Sequence, residues 1–187
     1  MGMDKDDNII IIEYPKKIQV RRKEAHKWDT QDVSVFNTLL TIDNIITNQM
    51  DKDSYIVTNQ IKKKLSSYKQ QDKKKNKYVE HLFIQFDDVL HEMKACEMKC
   101  VYCRDTMMMV YDNVREGKQW TIDRIDNAQG HNKDNFYLAC LECNLQRRCK
   151  SDKKFLFTKQ FVISLGLGDA AKGHAAPLNP RLSEAMP

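Results

Sequence analysis

The sequence predicts an α+β protein in three parts: a mainly helical, lysine-rich region over residues 1–95, a small four-cysteine module over 96–165 and a flexible tail over 166–187. Three observations support this division. Apolar residues recur at helical spacing before residue 95, and two Cys-x2-Cys pairs follow it. The last residues are rich in Gly, Ala and Pro and poor in large apolar side chains, which is typical of a disordered tail.

Three helices are predicted in the first part. Residues 32–49 carry apolar side chains at helical spacing, and a second helix is expected to begin near Asn59 with Thr58 as its cap. A third helix should run from Val79 to Met93, where one apolar stripe recurs. The isoleucine run at residues 9–12 favours a strand because β-branched side chains fit a pleated sheet.

Composition excludes several classes of protein. Hydrophobic residues make up 41% of the 187 residues and charged residues 30%, so the chain can bury a core. No run approaches the roughly 18 uncharged apolar residues that a membrane span needs. The polar, acidic start MGMDKDDN does not resemble a secretory signal, so we expect an intracellular protein that is not secreted. Six cysteines in such a chain favour metal ligands or free thiols over disulfides.

Positive charge is concentrated in one stretch of an only mildly basic chain, which has a formal net charge of +5. Residues 61–78 hold eight lysines and a single acid, Asp72. Such a stretch is often only a solvated helix face, but a basic arm also binds phosphates without regard to sequence. The candidate nucleic-acid contacts are Lys62, Lys63, Lys64, Lys73, Lys74, Lys75, Arg147, Arg148 and Lys150.

Two Cys-x2-Cys pairs are separated by 36 residues, and their members are Cys100, Cys103, Cys140 and Cys143. Two intervening residues let both sulfurs of a pair reach one tetrahedral ion at about 2.3 Å. Two such pairs complete a closed four-sulfur site, so a structural zinc ion is expected. The alternative is two coincidental pairs of buried thiols. Cys96 and Cys149 flank the pairs and are interpreted as bystanders.

A polar motif lies between the pairs. Residues Gln119–Ile125 alternate between polar and apolar side chains and include β-branched ones, which predicts a strand. The residues Asn127–Gly130 predict a turn or loop. A short apolar stretch from Phe136 to Ala139 predicts a second strand, and the residues from Cys143 onward favour a helix start. The expected order is therefore strand, loop, strand and helix.

The ordered residues of this region resemble the HNH endonucleases, which have a ββα-metal fold. The resemblance rests on Cys-x2-Cys, Trp-Thr-Ile-Asp-Arg-Ile-Asp-Asn from Trp120, Gly-His, Asp-Asn and Cys-x2-Cys-Asn, and it covers about residues 96–160. The sequence is similar to the zinc-braced, four-cysteine branch and resembles still more the HNH-type proteins of large DNA viruses. This resemblance implies hydrolysis of duplex or branched DNA with Mg²⁺ or Mn²⁺. No membrane partner is expected, and the chain could act as a monomer or as a homodimer. A viral protein would work in the host cytoplasm or nucleus, including a viral factory, or in the virion.

The resemblance also implies roles for individual residues. Asp123 and Asn144 match the ligands of the catalytic divalent ion, and Asn135 matches an asparagine that steadies the loop. Oxygen donors of this kind suit a hard cation that keeps open positions for phosphate and water.

One position departs from the family pattern. The family places its general-base histidine directly after the aspartate, where this chain has Arg124, and arginine cannot act as a base near neutral pH. His131 is the leading substitute, with Arg124 holding a phosphate oxygen, and Asp126 is the alternative base or second metal ligand. Without any base, the chain would be a catalytically inactive DNA-binding or packaging protein, or a zinc domain directed to RNA.

Overall fold

The computed structural model describes residues 36–164. The predicted strand at 9–12, the start of the first predicted helix and the tail at 166–187 lie outside the described residues. Five helices and two strands are found within that range, which confirms the mixed α+β class. In chain order they are α1 (Thr38–Ile46), α2 (Lys52–Lys74), α3 (Phe86–Ala95), β1 (Trp120–Arg124), β2 (Phe136–Cys140), α4 (Leu141–Arg147) and α5 (Asp152–Ser164).

The two strands pair antiparallel and lead directly into a helix. Trp120 lies opposite Cys140 and Asp123 lies opposite Tyr137 in the register. Cys140 is both the last residue of β2 and the N-cap of α4. The order strand, loop, strand, helix is therefore the one that the sequence predicts, with α4 beginning two residues before the predicted start.

The predicted start of α2 is wrong. The helix begins at Lys52, well before Asn59, and its N-cap is Asp51. The Asp51 carboxylate accepts hydrogen bonds from the Ser54 N–H (2.7 Å) and the Ser54 hydroxyl (2.6 Å). An acidic cap satisfies free N–H groups and suits the positive end of the helix dipole. Thr58 consequently lies inside the helix rather than at its start.

The third predicted helix is shorter than expected. It begins at Phe86 instead of Val79, and residues before it form a turn. Ile84 N–H donates to the His131 carbonyl (3.0 Å), and Lys133 N–H donates to the Leu82 carbonyl (2.8 Å). These bonds to the loop between the strands engage the backbone that a longer helix would need, so tertiary contacts override the local apolar pattern.

One hydrophobic core joins the helical region to the four-cysteine module, residues 96–165. Buried side chains from the helices, such as Ile61 and Met93, belong to the same cluster as Trp120 and Leu138 from the strands. Phe155 of α5, a helix that the sequence did not predict, packs edge-on against Tyr102 at 4.9 Å between ring centroids. The core thus runs across residue 95, where the sequence suggested a domain boundary. Among the described helices, none combines the length and apolar character that crossing a membrane requires.

Candidate metal centre and active site

The four predicted cysteines come together in one cluster. Their sulfur atoms all lie within 4.8 Å of one another, and the Sγ atoms of Cys103 and Cys140 are 3.9 Å apart. A tetrahedral ion with arms of about 2.3 Å would place its sulfurs roughly 3.8 Å apart. The cluster could therefore hold a metal ion such as zinc. Within residues 36–164 it is the one group of three or more His, Cys, Asp or Glu side chains close enough to do so.

The backbone around the cluster joins its two halves. Val101, inside the first cysteine pair, donates its N–H to the carbonyl of Leu138 on β2 (3.1 Å). The second pair spans the junction of β2 and α4, where Cys143 N–H donates to the Cys140 sulfur at 3.4 Å. The turn after α3 is therefore held against β2, the strand that ends at Cys140.

The thiols of the cluster cannot all ionise together without a cation. Hydrogen bonds from the other three thiols lower the pKa of Cys100. Hydrogen bonding to Cys100 in turn raises the pKa of Cys140 and Cys143. Metal ligation requires thiolates. A doubly charged ion at the centre of the cluster would stabilise the thiolate form of all four cysteines, and its binding would release protons.

Asp123 lies near the end of β1 with only 5% of its surface exposed. Its Oδ2 accepts a hydrogen bond from the Tyr102 hydroxyl, and its Oδ1 pairs with Arg147 Nη1, both at 2.7 Å. Burial raises the pKa of Asp123, and the bonds from Tyr102 and Arg147 oppose that rise. Each carboxylate oxygen can accept more than one partner, so the group retains acceptor capacity.

Arg147 does not lie on the surface, where the sequence placed it as a nucleic-acid contact. It is 1% exposed, and besides pairing with Asp123 it donates to the carbonyls of Arg124 (2.6 Å) and Ile125 (2.7 Å). Because α4 starts at Leu141, the side chain at position 147 faces β1 rather than solvent. The guanidinium therefore joins α4 to the end of β1. It also places a positive charge directly beside Asp123, the predicted metal ligand.

Asn144 lies one turn before Arg147 on the same face of α4. Its Nδ2 donates to the Thr121 hydroxyl (3.0 Å) and to the Ile122 carbonyl (3.4 Å). Thr121 and Asp123 are two residues apart on β1, so their side chains lie on one face of the sheet. The two predicted ligands of the catalytic ion thus face the same side, and the donor bonds of Asn144 orient its amide with the oxygen left as an acceptor.

His131 is anchored by a residue that the sequence did not single out as part of the site. Asp72, near the end of α2, accepts the His131 backbone N–H at Oδ2 (2.6 Å), and its Oδ1 lies 2.8 Å from His131 Nδ1. The imidazole packs against the Tyr68 ring with 4.4 Å between centroids. Burial lowers the pKa of His131 although the Asp72 carboxylate opposes this, so the ring is mostly neutral at pH 7. In the sequence Asp72 is only the one acid of a lysine run, and no local signal marks it.

Tyr68 connects this histidine to β1. Its hydroxyl accepts the Ile122 N–H at 3.1 Å, while its ring lies against His131. Burial raises the pKa of Tyr68 to about 12, so the phenol is neutral at physiological pH. The residue holds His131 and the strand that carries Asp123 within one packed group.

Asn135 fastens the loop between the strands. Its Oδ1 accepts the Asp126 N–H (2.7 Å), and its Nδ2 donates to the carbonyls of Asp126 (3.0 Å) and Gly130 (2.9 Å). These three bonds close the loop that leads from β1 to His131. Asn135 therefore steadies the loop through bonds to its backbone.

Arg124 and Asp126 lie toward the outside of the same loop. Arg124 is half-buried and donates through Nη1 to the Gln129 carbonyl at 3.2 Å. Asp126 is exposed, and its carboxylate accepts the Ala128 N–H at 2.8 Å. That bond lowers the pKa of Asp126, so the group is a carboxylate at neutral pH that caps its own turn.

The predicted nucleic-acid contacts differ in exposure. Lys64 turns inward, where its Nζ donates to the Trp120 carbonyl and lies 4.3 Å from the Trp120 ring centroid. This contact with the module leaves Lys64 half-buried, unlike the other candidate lysines. Arg148 and Lys150 are exposed just beyond α4. The remaining candidates, all exposed, are Lys62, Lys63, Lys73, Lys74 and Lys75.

No protein-family model, curated protein or solved structure matches the chain. The resemblance to HNH endonucleases consequently rests on the ordered residues between Cys100 and Asn144. The activity that it implies stands as a proposal.

The four-cysteine cluster predicts a bound metal ion. Purified protein should contain about one zinc ion per chain, and Cys143→Ser should abolish that content, because a closed site needs all four sulfurs. Elemental analysis with urea unfolding checks both metal content and stability, which should fall together. Cys149→Ser is the matched control, since Cys149 is an exposed thiol outside the cluster. Full zinc content in Cys143→Ser would contradict the assignment.

The buried Asp123–Arg147 pair predicts a large loss of stability when one partner is removed. Arg147→Met should lower the free energy of unfolding by about 3 kcal/mol, because it leaves a buried carboxylate uncompensated. Arg148→Met, at the exposed neighbouring position, should change it by less than about 0.5 kcal/mol. Urea denaturation of the two variants gives the comparison. Equal stabilities would mean that the ion pair contributes nothing to the fold.

Proposed function

We propose that the protein is a divalent-metal-dependent DNA endonuclease of the HNH, ββα-metal class. The observation that carries the proposal is the bond from Asn144 on α4 to Thr121, whose side chain lies on the same face of β1 as Asp123. They belong to a strand–strand–helix unit whose helix is capped by a cysteine of the four-cysteine cluster. A carboxylate and a carboxamide on one face of the sheet offer the oxygen donors that a hard divalent cation prefers.

The oxygen donors of Asp123 and Asn144 suit Mg²⁺ or Mn²⁺, but Arg147 competes with such an ion for Asp123. Asp123 keeps acceptor capacity on both oxygens, and Asn144 uses its Nδ2 for internal bonds. Asp123 and Asn144 would hold the ion. When bound, such an ion supplies Lewis-acid stabilisation of charge on the leaving 3′-oxygen. Arg147 must share or release Asp123 Oδ1 for this to happen.

His131 is the proposed proton acceptor. Its ring is neutral at pH 7, and its Nδ1 is engaged by Asp72, which leaves Nε2 for a water molecule. The water proton passes to Nε2, the water oxygen bonds to phosphorus, and the P–O3′ bond breaks, with the leaving oxygen taking a proton from solvent. Arg124, next to Asp123, is always charged and suits a non-bridging phosphate oxygen.

Two observations support a second candidate function. Arg147 already neutralises Asp123, and His131 is only 5% exposed, so both groups have a structural role without any reaction. The protein would then be a catalytically inactive DNA-binding or packaging protein that keeps the four-cysteine module. Its exposed lysines would supply affinity that is independent of sequence and sensitive to salt.

Nicking of supercoiled plasmid in Mg²⁺ or Mn²⁺ tests the proposed activity. Asn144→Ala and His131→Ala should each lower the rate by about 100-fold or more, because one removes an ion ligand and the other the general base. Gln146→Ala and His91→Ala are matched controls at exposed positions and should cleave like the wild type.

Two results would contradict the proposal. Cleavage that survives both site substitutions would remove these residues from the active site. DNA retention without nicking in any metal would favour the inactive binding protein. Competition between duplex DNA and single-stranded RNA, measured in the same retention assay, separates a DNA partner from an RNA partner.

The exposed lysines predict a salt-dependent contribution to DNA affinity. Replacing Lys73, Lys74 and Lys75 by Ala should reduce the slope of log affinity against log salt by about 0.9 for each phosphate that the variant no longer neutralises. A variant lacking Lys94, Lys118 and Lys133, three exposed lysines elsewhere, removes the same charge and should leave the slope nearly unchanged. Fluorescence anisotropy at several salt concentrations measures both. Equal slopes would show that net charge alone determines binding.

A further inference from the structure

We propose that Asp72 positions the imidazole of His131, so that helix α2 contributes a working part of the active site. The inference rests on the proposed function and adds to it a residue from outside the four-cysteine module. Asp72 is fully buried, and both of its oxygens contact the same residue, His131. One oxygen holds the backbone and the other holds the ring, so the position and the rotation of the side chain are both determined.

The contact with Nδ1 determines the tautomer. A carboxylate accepts hydrogen bonds, so the proton of a neutral imidazole resides on Nδ1 and the lone pair on Nε2. Nε2 has no hydrogen-bond partner among residues 36–164. It is also absent from the buried, unpaired polar atoms of those residues, so it is not sealed from solvent. The available nitrogen is thus the one that carries the lone pair, which is the form a general base requires.

Gly130 permits this close approach. A Cβ at position 130 would lie 2.4 Å from the Lys77 carbonyl oxygen and 2.9 Å from Asp72 Oδ2. Real side chains do not come that close to backbone, so any larger residue would push the loop away from α2. The Gly-His pair of the motif therefore has a physical reason: the glycine lets the histidine backbone reach Asp72.

The location of Asp72 is unfavourable unless the histidine compensates for it. Asp72 lies in the last turn of α2, where the helix dipole disfavours negative charge, and it is withdrawn from water. The two bonds to His131 offset that cost. When Nε2 takes a proton, the imidazolium gains a buried counter-charge at 2.8 Å, which stabilises the state that follows proton transfer.

The groups that face His131 determine its pH dependence. Asp72 favours the protonated ring, whereas burial and the nearby positive charges of Arg124 and Lys75 disfavour it. Tyr68, which packs on the ring, is neutral below its pKa of about 12. Replacing Asp72 by a neutral group leaves only influences that disfavour protonation, so the pKa of His131 should fall and the acid limb of the pH–rate profile should move to lower pH.

The test compares Asp72→Asn, which keeps the size of the side chain, with Asp72→Glu, which keeps its charge. Asp72→Asn should lower the nicking rate by about 100-fold, because its amide can donate to Nδ1 and reverse the tautomer. DNA affinity and zinc content should be retained, and Asp72→Glu should recover part of the rate. Asp112→Asn, at an exposed acid, is the control and should behave like the wild type.

Nitrogen NMR of the histidine ring supplies a readout that needs no catalysis. In the zinc-loaded wild type the neutral ring should carry its proton on Nδ1, and its pKa should be higher than in Asp72→Asn. A proton on Nε2, or nicking that persists in Asp72→Asn, would overturn the role of Asp72 while leaving the nuclease assignment intact. A wild type that retains DNA but never nicks it would overturn the proposed function, and the catalytic use of this pair with it.

Discussion

The junction at Cys140 determines where the candidate site residues lie. This residue ends β2, caps α4 and gives a thiol to the four-cysteine cluster. Because the helix starts without an intervening loop, its rotation about its own axis is fixed relative to the strands. Positions 144 and 147 then face β1, one turn apart. A loop between strand and helix would leave this orientation unspecified, and the site would depend on side-chain contacts alone.

The choice between nuclease and binding protein reduces to a competition at Asp123. The guanidinium of Arg147 brings one positive charge at 2.7 Å, with fixed geometry and two further bonds to backbone carbonyls. A divalent ion brings twice the charge but must give up part of a tightly held water shell. A substrate phosphate bound to the proposed ion would help to hold that ion at Asp123. Substrate and metal together therefore compete better for Asp123 than metal alone does, which makes DNA-dependent metal binding the natural behaviour of a nuclease with this pair.

Local patterns in the sequence identified the parts of the protein that are determined locally. The cysteine spacing, the alternation in β1 and the turn residues before Gly130 each reflect short-range geometry, and the structure places them as predicted. The start of α3 and the burial of Arg147 depend on residues distant in the chain. Asp72 illustrates the limit, because an acid within a lysine run looks solvated. Its contact with His131 exists only because the fold closes a separation of 59 residues.

Helix α2 has two roles that its lysine-rich sequence does not separate. Lys64, Tyr68 and Asp72 recur every four residues, so they lie on one face of the helix. Each makes a polar contact with the module, to Trp120, Ile122 and His131 respectively. The exposed lysines occupy other positions around the same helix. One helix therefore supports the candidate site through one stripe and presents positive charge through another. If the proposed DNA binding holds, a DNA backbone along the lysines would lie against an element that directly contacts His131.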